Sequence, residues 1–253
     1  MLLLFSAALA AETTSETVAA VLDGDVMNME SGERVQLRGV RSPASREDYG
    51  IEAREAARSM VNGQEVVLSV RGESRDEHGS LVASVRSLEG DLAVSLVERG
   101  YAWIYVVPPD DLDLTMLRTA QNAARAARRG VWGTERFSGA LHIADFVANA
   151  EGDDRENING EYLRICNISD QDTNLQGYTL RDRNGNMWTL PAVVVPVGHT
   201  IQVHSGTGTN QTSPRQPLVI YLGSDRPIWN NTEDQATLTD RSGKVVDAVQ
   251  QQR

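Results

Sequence analysis

Residues Val21–Pro43, VLDGDVMNMESGERVQLRGVRSP, constrain the fold more than any other stretch of the chain. Two short apolar runs, Val18–Leu22 and Val35–Val40, lie on either side of a Gly-containing turn at Glu30–Arg34, which is the pattern of a β-hairpin. Asp23-Gly24-Asp25 puts two carboxylates at one strand end, where Gly24 tolerates backbone angles that other residues avoid. Such a pair is either a solvated turn or the start of a hard-cation site, which for calcium needs about six to eight oxygens.

The residues that follow alternate between helical and extended patterns. Gly50–Val61 carries helical apolar spacing through Ile51, Ala53, Ala57, Met60 and Val61. Asp91–Arg99 reads as a short helix closed by Gly100. A third helix is expected over Asp113–Arg129, with Leu114, Leu117, Ala120, Ala124 and Ala127 inward and Gly130 ending it. Strands between these helices make a five-stranded barrel of the OB-fold kind.

Tyr101, Trp103 and Tyr105 alternate after the second helix, either as stacking faces for bases or as a cover for the barrel or a domain interface. Arg125, Arg128 and Arg129 form a basic tip, suited to phosphate contact or to the C-terminal end of a helix dipole.

Six ordered blocks across residues 18–133 resemble the staphylococcal nuclease-like (thermonuclease) family: VLDGD, LRGVRSP, YGIEAREAAR, RDEHGSLVASV, LVERGYAW and ARAARRGVWG. The resemblance implies an OB-fold barrel with three helices and a calcium-dependent phosphodiesterase site. Of the site residues that it implies, Asp25 alone is in place. Gln36 stands where the first arginine is expected, Arg41 where the second metal-binding aspartate is expected, Ala44 at the general-base glutamate, and Ser80 at the second arginine. The family also has tyrosines near Tyr101 and Tyr105 that border its nucleotide site.

These departures bear directly on the chemistry. Phosphodiester hydrolysis needs a cation to gather charge, a base to activate water and donors to the developing negative oxygens. Arg41 sets a positive charge where a carboxylate should hold the metal, and either repels calcium or folds onto Asp25 as an ion pair. Arg38, two residues after Gln36, would share its face on a strand and could replace the missing guanidinium. Glu47 or Asp48 could lend a carboxylate from the loop. No cofactor is expected, with calcium required only if the barrel is active. In that case Asp23 and Asp25 hold the metal, Asp25 and Arg38 carry the catalysis, and Arg41, Tyr101 and Tyr105 line the ligand site.

Met1–Ala10 is an apolar run ending Ala-Leu-Ala, which reads as the end of a secretory signal peptide. It is too short to span a bilayer. A secreted or periplasmic protein is expected, with no transmembrane segment in its mature form. The net charge is −11, Lys244 is the sole lysine, and acidic side chains outnumber basic ones in both halves. That balance disfavours a broad electrostatic grip on nucleic acid, although a few arginines can still clamp phosphate. The single cysteine, Cys166, excludes an internal disulfide and reads as core filler in EYLRICNIS.

After a short linker at 134–140, residues 141–250 follow another pattern: alternating strands broken by Arg183-Asn184-Gly185-Asn186, Ser242-Gly243 and similar turns, as in a β-sandwich. Gly160–Pro191, Val195–Asn210 and Pro227–Asp247 resemble a lamin-tail domain, especially in HSGTGTN at His204–Asn210 and IWNN at Ile228–Asn231. The resemblance implies an immunoglobulin-like sandwich that binds a protein or cell-surface partner. The His204–Asn210 loop reads as a turn between strands or as an anion-binding loop.

Three functions follow from these readings. One is an exported nuclease-like barrel, impaired or inactive, that binds nucleic acid, a nucleotide or a surface. Another is an active calcium-dependent nuclease. The third is a purely structural pair of domains.

Overall fold

The computed structural model describes residues 12–71, 75, 76 and 78–251, so the expected signal peptide at 1–10 lies outside the described residues. The chain divides into two compact units, Met1–Trp103 with Leu114–Val131, and Ile104–Asp113 with Trp132–Arg253.

The first unit is a barrel of β1 (Glu12–Asp23), β2 (Val26–Met29), β3 (Arg34–Leu37), β4 (Glu65–Val70) and β5 (Leu81–Ser87). Its order is β3-β2-β1-β4-β5, and a parallel β3–β5 pairing, Val35 opposite Leu81 and Leu37 opposite Ala83, closes it. The single hairpin expected between Val18–Leu22 and Val35–Val40 is in fact two. Asp23-Gly24-Asp25 turns β1 into β2, and Glu30–Glu33 turns β2 into β3. Val26, Met27 and Met29 are too short an apolar run to stand out, yet all three are buried, as are Val18, Val35, Leu37, Leu68 and Val85.

Helices α1 (Gly50–Val61), α2 (Leu92–Arg99) and α3 (Thr115–Ala126) cover the barrel. They bury Ala53, Ala57 and Met60; Leu92, Leu96 and Val97; and Leu117, Ala120 and Ala124, whereas Ile51, expected on the apolar face of α1, is 56% exposed, and Ala127, expected on the inner face of α3, lies past its end and is exposed. Asp91 caps α2 by accepting from Val94 N, and Gly100 ends it at φ 76°. The third helix is shorter than expected at both ends. Arg128 at φ 51° and Gly130 at φ 51° lie beyond it in left-handed conformation.

The second unit contains two four-stranded sheets, consistent with an immunoglobulin-like domain. One runs β11-β10-β7-β6 from β6 (Leu141–Val147), β7 (Tyr162–Asn167), β10 (Thr200–His204) and β11 (Leu218–Tyr221). The other runs β9-β8-β12-β13 from β8 (Thr179–Arg181), β9 (Met187–Thr189), β12 (Asp234–Thr239) and β13 (Val245–Gln251). Leu163, Ile165, Leu180, Ile201, Val203 and Leu238 meet in one core. Trp229, 3% exposed, packs edge-to-face on Phe146 at 5.0 Å, with Trp188 at 6.0 Å. The stretch read as a linker is packed: Phe137 is buried between Trp132 and His142, and Ala140 accepts from Ile168 N.

Candidate functional site

The two carboxylates of the Asp23-Gly24-Asp25 turn are the natural starting point. Gly24 does not take up the left-handed freedom that glycine offers, since its φ is not positive. What the turn requires is space, since a Cβ on Gly24 would lie 2.8 Å from Ser42 Oγ and 2.9 Å from Ala53 Cβ of α1. That close approach sets Asp25, 3% exposed, against Ser42.

Asp25 is held on both oxygens. Pairing of Val26 with Gln36 in the β2–β3 ladder brings the Gln36 side chain alongside, and its Nε2 donates to Asp25 Oδ2 at 2.8 Å. Ser42 Oγ donates to Oδ1 at 2.6 Å, and Leu37 N donates to the Asp25 carbonyl. Asp23 is held likewise, its Oδ1 accepting from Ser45 Oγ at 2.6 Å and Ser45 N at 3.2 Å. The sequence had pointed to neither serine as a partner of these carboxylates.

Arg38 does not lie on the strand that was to carry it to the face of Gln36. β3 ends at Leu37, and Arg38 begins a turn completed by Gly39 at φ 78°, although its N–H still reaches Ala83 O. Arg41, half-buried, follows Val40 in a two-residue strand.

The loop after Pro43 is a tight turn. Glu47 N donates to Ala44 O, Gly50 N donates to Glu47 O, and Ala44 N donates to Glu47 Oε2 at 2.8 Å. A Cβ on Gly50 would lie 1.9 Å from Ala44 O, so glycine lets α1 start against this loop.

Ser80 is buried at 2% exposure, its N–H donating to Asp76 Oδ1. Nearby, Arg75 grips both Glu33 oxygens at 3.0 and 2.9 Å, and this pairing holds the Glu33 carboxyl below its ordinary pKa.

Of the aromatic residues, Trp103 is 2% exposed and Tyr101 is half-buried. Tyr105, 9% exposed and part of the second unit, donates its hydroxyl to Asp145 Oδ2 at 2.8 Å and accepts from Arg164 Nη1 at 3.0 Å. Its ring is built into that unit. Arg129 Nη1 donates to Glu98 O at the C-terminus of α2, a helix-end role for one residue of the basic tip. The His204–Asn210 loop folds as a connection, with Gly208 against the Tyr221 ring and Asn210 Oδ1 accepting from Tyr221 N. Cys166 is buried, burial pushes its thiol pKa up, and it donates to Ile104 O at 3.2 Å.

The calcium site implied by the family resemblance does not fit these residues. Both Asp25 oxygens accept from neutral protein donors, Ser45 donates to Asp23 Oδ1, and residue 41, where the resemblance implies a second carboxylate, is an arginine. Among the described residues no three His, Cys, Asp or Glu side chains gather as a metal cluster.

Comparison with known proteins places both halves. The model of the family described as Staphylococcal nuclease homologue matches residues 34–134, and that of the Lamin Tail Domain matches residues 135–253. An Escherichia coli protein named "Uncharacterized endonuclease" is 32% identical over 119 residues, 46% of this chain and 74% of that protein. The rice "Probable staphylococcal-like nuclease CAN1" is 29% identical over 103 residues, 41% of this chain and 30% of that protein. The Arabidopsis thaliana "Staphylococcal-like nuclease CAN1" is 30% identical over 101 residues, 40% of this chain and 30% of that protein.

Proposed function

We propose that this chain, which belongs to the staphylococcal nuclease homologues through residues 34–134 and carries a lamin-tail domain over residues 135–253, binds nucleic acid, a nucleotide or a surface without efficient hydrolysis. The observation that carries this reading is the state of Asp25. Its two oxygens are taken by Gln36 Nε2 and Ser42 Oγ, so the one catalytic carboxylate left of the family pattern serves as an internal hydrogen-bond acceptor. With Ala44 at the base position and Ser80 at an arginine position, neither water activation nor charge stabilisation has its usual agent. The apolar Met1–Ala10 run supports export, and the lamin-tail domain is read as the module that holds a protein or cell-surface partner. Among the described residues no helix is long and apolar enough to cross a membrane.

A second reading has one observation in its favour. Glu47 Oε2 sits 2.8 Å from Ala44 N, so a carboxylate from three residues on reaches the backbone of the position where the base is expected. An active enzyme of rearranged chemistry would use it with Asp25 and Arg38.

The deciding experiment is hydrolysis of single-stranded DNA by the purified chain in millimolar calcium, beside Asp25→Ala and Glu47→Gln. The binding reading expects no calcium-dependent cleavage by any of the three. Cleavage by the parent chain that disappears in both variants would overturn it and establish the rearranged site.

A further inference from the structure

Glu161 is 0% exposed and lies just before β7 in the second unit. Its Oε2 accepts from Ile228 N at 2.9 Å and, at the limit of a hydrogen bond, from Trp229 N at 3.5 Å. Its Oε1 is buried and has no hydrogen-bond partner. The same is true of two neighbours, Ser205 Oγ and Asp154 Oδ1.

Ser205, also 0% exposed, follows β10, and its N–H donates to the Glu161 carbonyl at 3.2 Å. Its hydroxyl is near enough to favour the charged form of Glu161, yet it reaches no partner at hydrogen-bonding geometry. Asp154 comes from the preceding loop, and its other oxygen accepts from Asn231 Nδ2. Burial pushes the Glu161 carboxyl above its ordinary pKa, and the charge of Asp154 pushes it the same way.

Two carboxylate oxygens and a hydroxyl oxygen are therefore buried without a hydrogen-bond partner, near enough that Asp154 and Ser205 both act on the Glu161 carboxyl, and the Ser205 hydroxyl is the one donor among them when both carboxylates are charged. Left so, each buried unsatisfied group costs about 1–3 kcal/mol, and the like charges add to that cost. Other buried carboxylates of this unit are not in that state. Asp234, for example, accepts from Arg183 N, Gln235 N and Asn230 N.

We propose that Asp154, Glu161 and Ser205 bind a hard divalent cation, calcium, at one end of the lamin-tail sandwich. The donors are all oxygen, with neither imidazole nor thiolate among them, which selects calcium over transition metals. Two carboxylates with one neutral oxygen leave further positions to water and backbone carbonyls, which fits a weak extracellular-type site with Kd on the order of 10⁻⁴ to 10⁻³ M. The ion ties the loop before β7 to the turn after β10. Through Asn231 and the Ile228–Trp229 backbone it also steadies the connection that leads into β12.

The test uses the full chain, stripped with chelator and desalted. Terbium stands in for calcium, and tryptophan excitation should sensitise its emission, because Trp229 N touches the same carboxylate. Calcium is expected to compete this emission away, and to raise the Tm progressively with its logarithmic concentration. Glu161→Gln and Asp154→Asn, which preserve the acceptors for Ile228 N and Asn231 Nδ2, should lose at least tenfold in affinity and the Tm rise with it. Ser205→Ala, which leaves the Glu161 hydrogen bonds in place, should weaken calcium about tenfold. Asp25→Asn should leave emission intact, separating this site from the barrel. Emission and Tm shifts unchanged by Glu161→Gln and Asp154→Asn, or no response of the parent chain to either ion, would overturn the proposal.

Discussion

Gln36 Nε2 donates to Asp25 Oδ2 across 2.8 Å, linking the position where an arginine is expected to the carboxylate that should hold the metal. With Ser42 on the other oxygen, this makes Asp25 part of the barrel's internal hydrogen bonding. Asp25→Ala strands both donors in a buried site, and a loss of about 3 kcal/mol is expected in urea unfolding. The loss should be the same with calcium or with chelator. A loss seen only in calcium would show that Asp25 is a ligand.

Gly100 and Gly130 touch through their backbones, and Val131 N donates to Gly100 O at 3.0 Å. A Cβ on Gly100 would lie 2.2 Å from Arg129 O, on a residue already at φ 76°. Gly100→Ala should therefore prevent the first unit from folding. Gly32→Ala, at φ 88° with nothing within 4 Å, should cost only about 1 kcal/mol for the left-handed backbone. Far-UV circular dichroism and urea titration of the two variants check this contrast.

Glu33 and Arg75 give a pH dependence. The folded pKa of Glu33 is lowered, chiefly by its hydrogen bond to Arg75, so the pair stabilises the fold above the ordinary value of 4.5. That contribution is lost as pH falls through the lowered value. Both side chains are partly exposed, 52% for Arg75 and 30% for Glu33, so the effect is at most about 1 kcal/mol. Arg75→Ala should cost this much at pH 7 in low salt and nothing at pH values where Glu33 is protonated. An equal cost at every pH would assign the effect to packing.

Asp247, 3% exposed, accepts from Ile143 N at 2.7 Å, lies 2.8 Å from His142 Nδ1 and 3.6 Å from Arg136 Nε. It joins the first and last long strands of the second unit. Asp247→Ala should cost about 3–5 kcal/mol, the range for removing one partner of a buried polar cluster. Tm measurement by calorimetry reads this directly, and a change below about 1 kcal/mol would mean that water replaces the carboxylate.

Cys166 is fully buried with its thiol pKa raised by desolvation. A thiol reagent should react with it at the rate of unfolding, so that added urea accelerates labelling in parallel with loss of structure. Rapid stoichiometric labelling of the native chain would contradict this packing.

Helix α1, the Gly100 end of α2, and the turns at Gly185 and Gly243 were legible in sequence because each rests on residues a few positions apart. So were the two domain families, whose motif blocks are short and ordered. Strand β2 was not legible, because VMNM is four residues long and its burial comes from neighbours on β1 and β3. Arg38 was misplaced because strand alternation was carried one residue beyond the end of β3.

That Gln36, Arg41, Ala44 and Ser80 stand at those positions is read from the sequence alone, since identity at a position needs no coordinates. Only the tertiary structure decided what the remaining Asp25 does. Its partners are 11 and 17 residues away and meet it through the β2–β3 register and the space left by Gly24. The convergence of Asp154, Glu161 and Ser205 is of the same kind. Periodicity and turn chemistry act over a few residues, whereas ladder closure and sheet packing bring distant positions together, and what a buried carboxylate does depends on the donors that those contacts leave beside it.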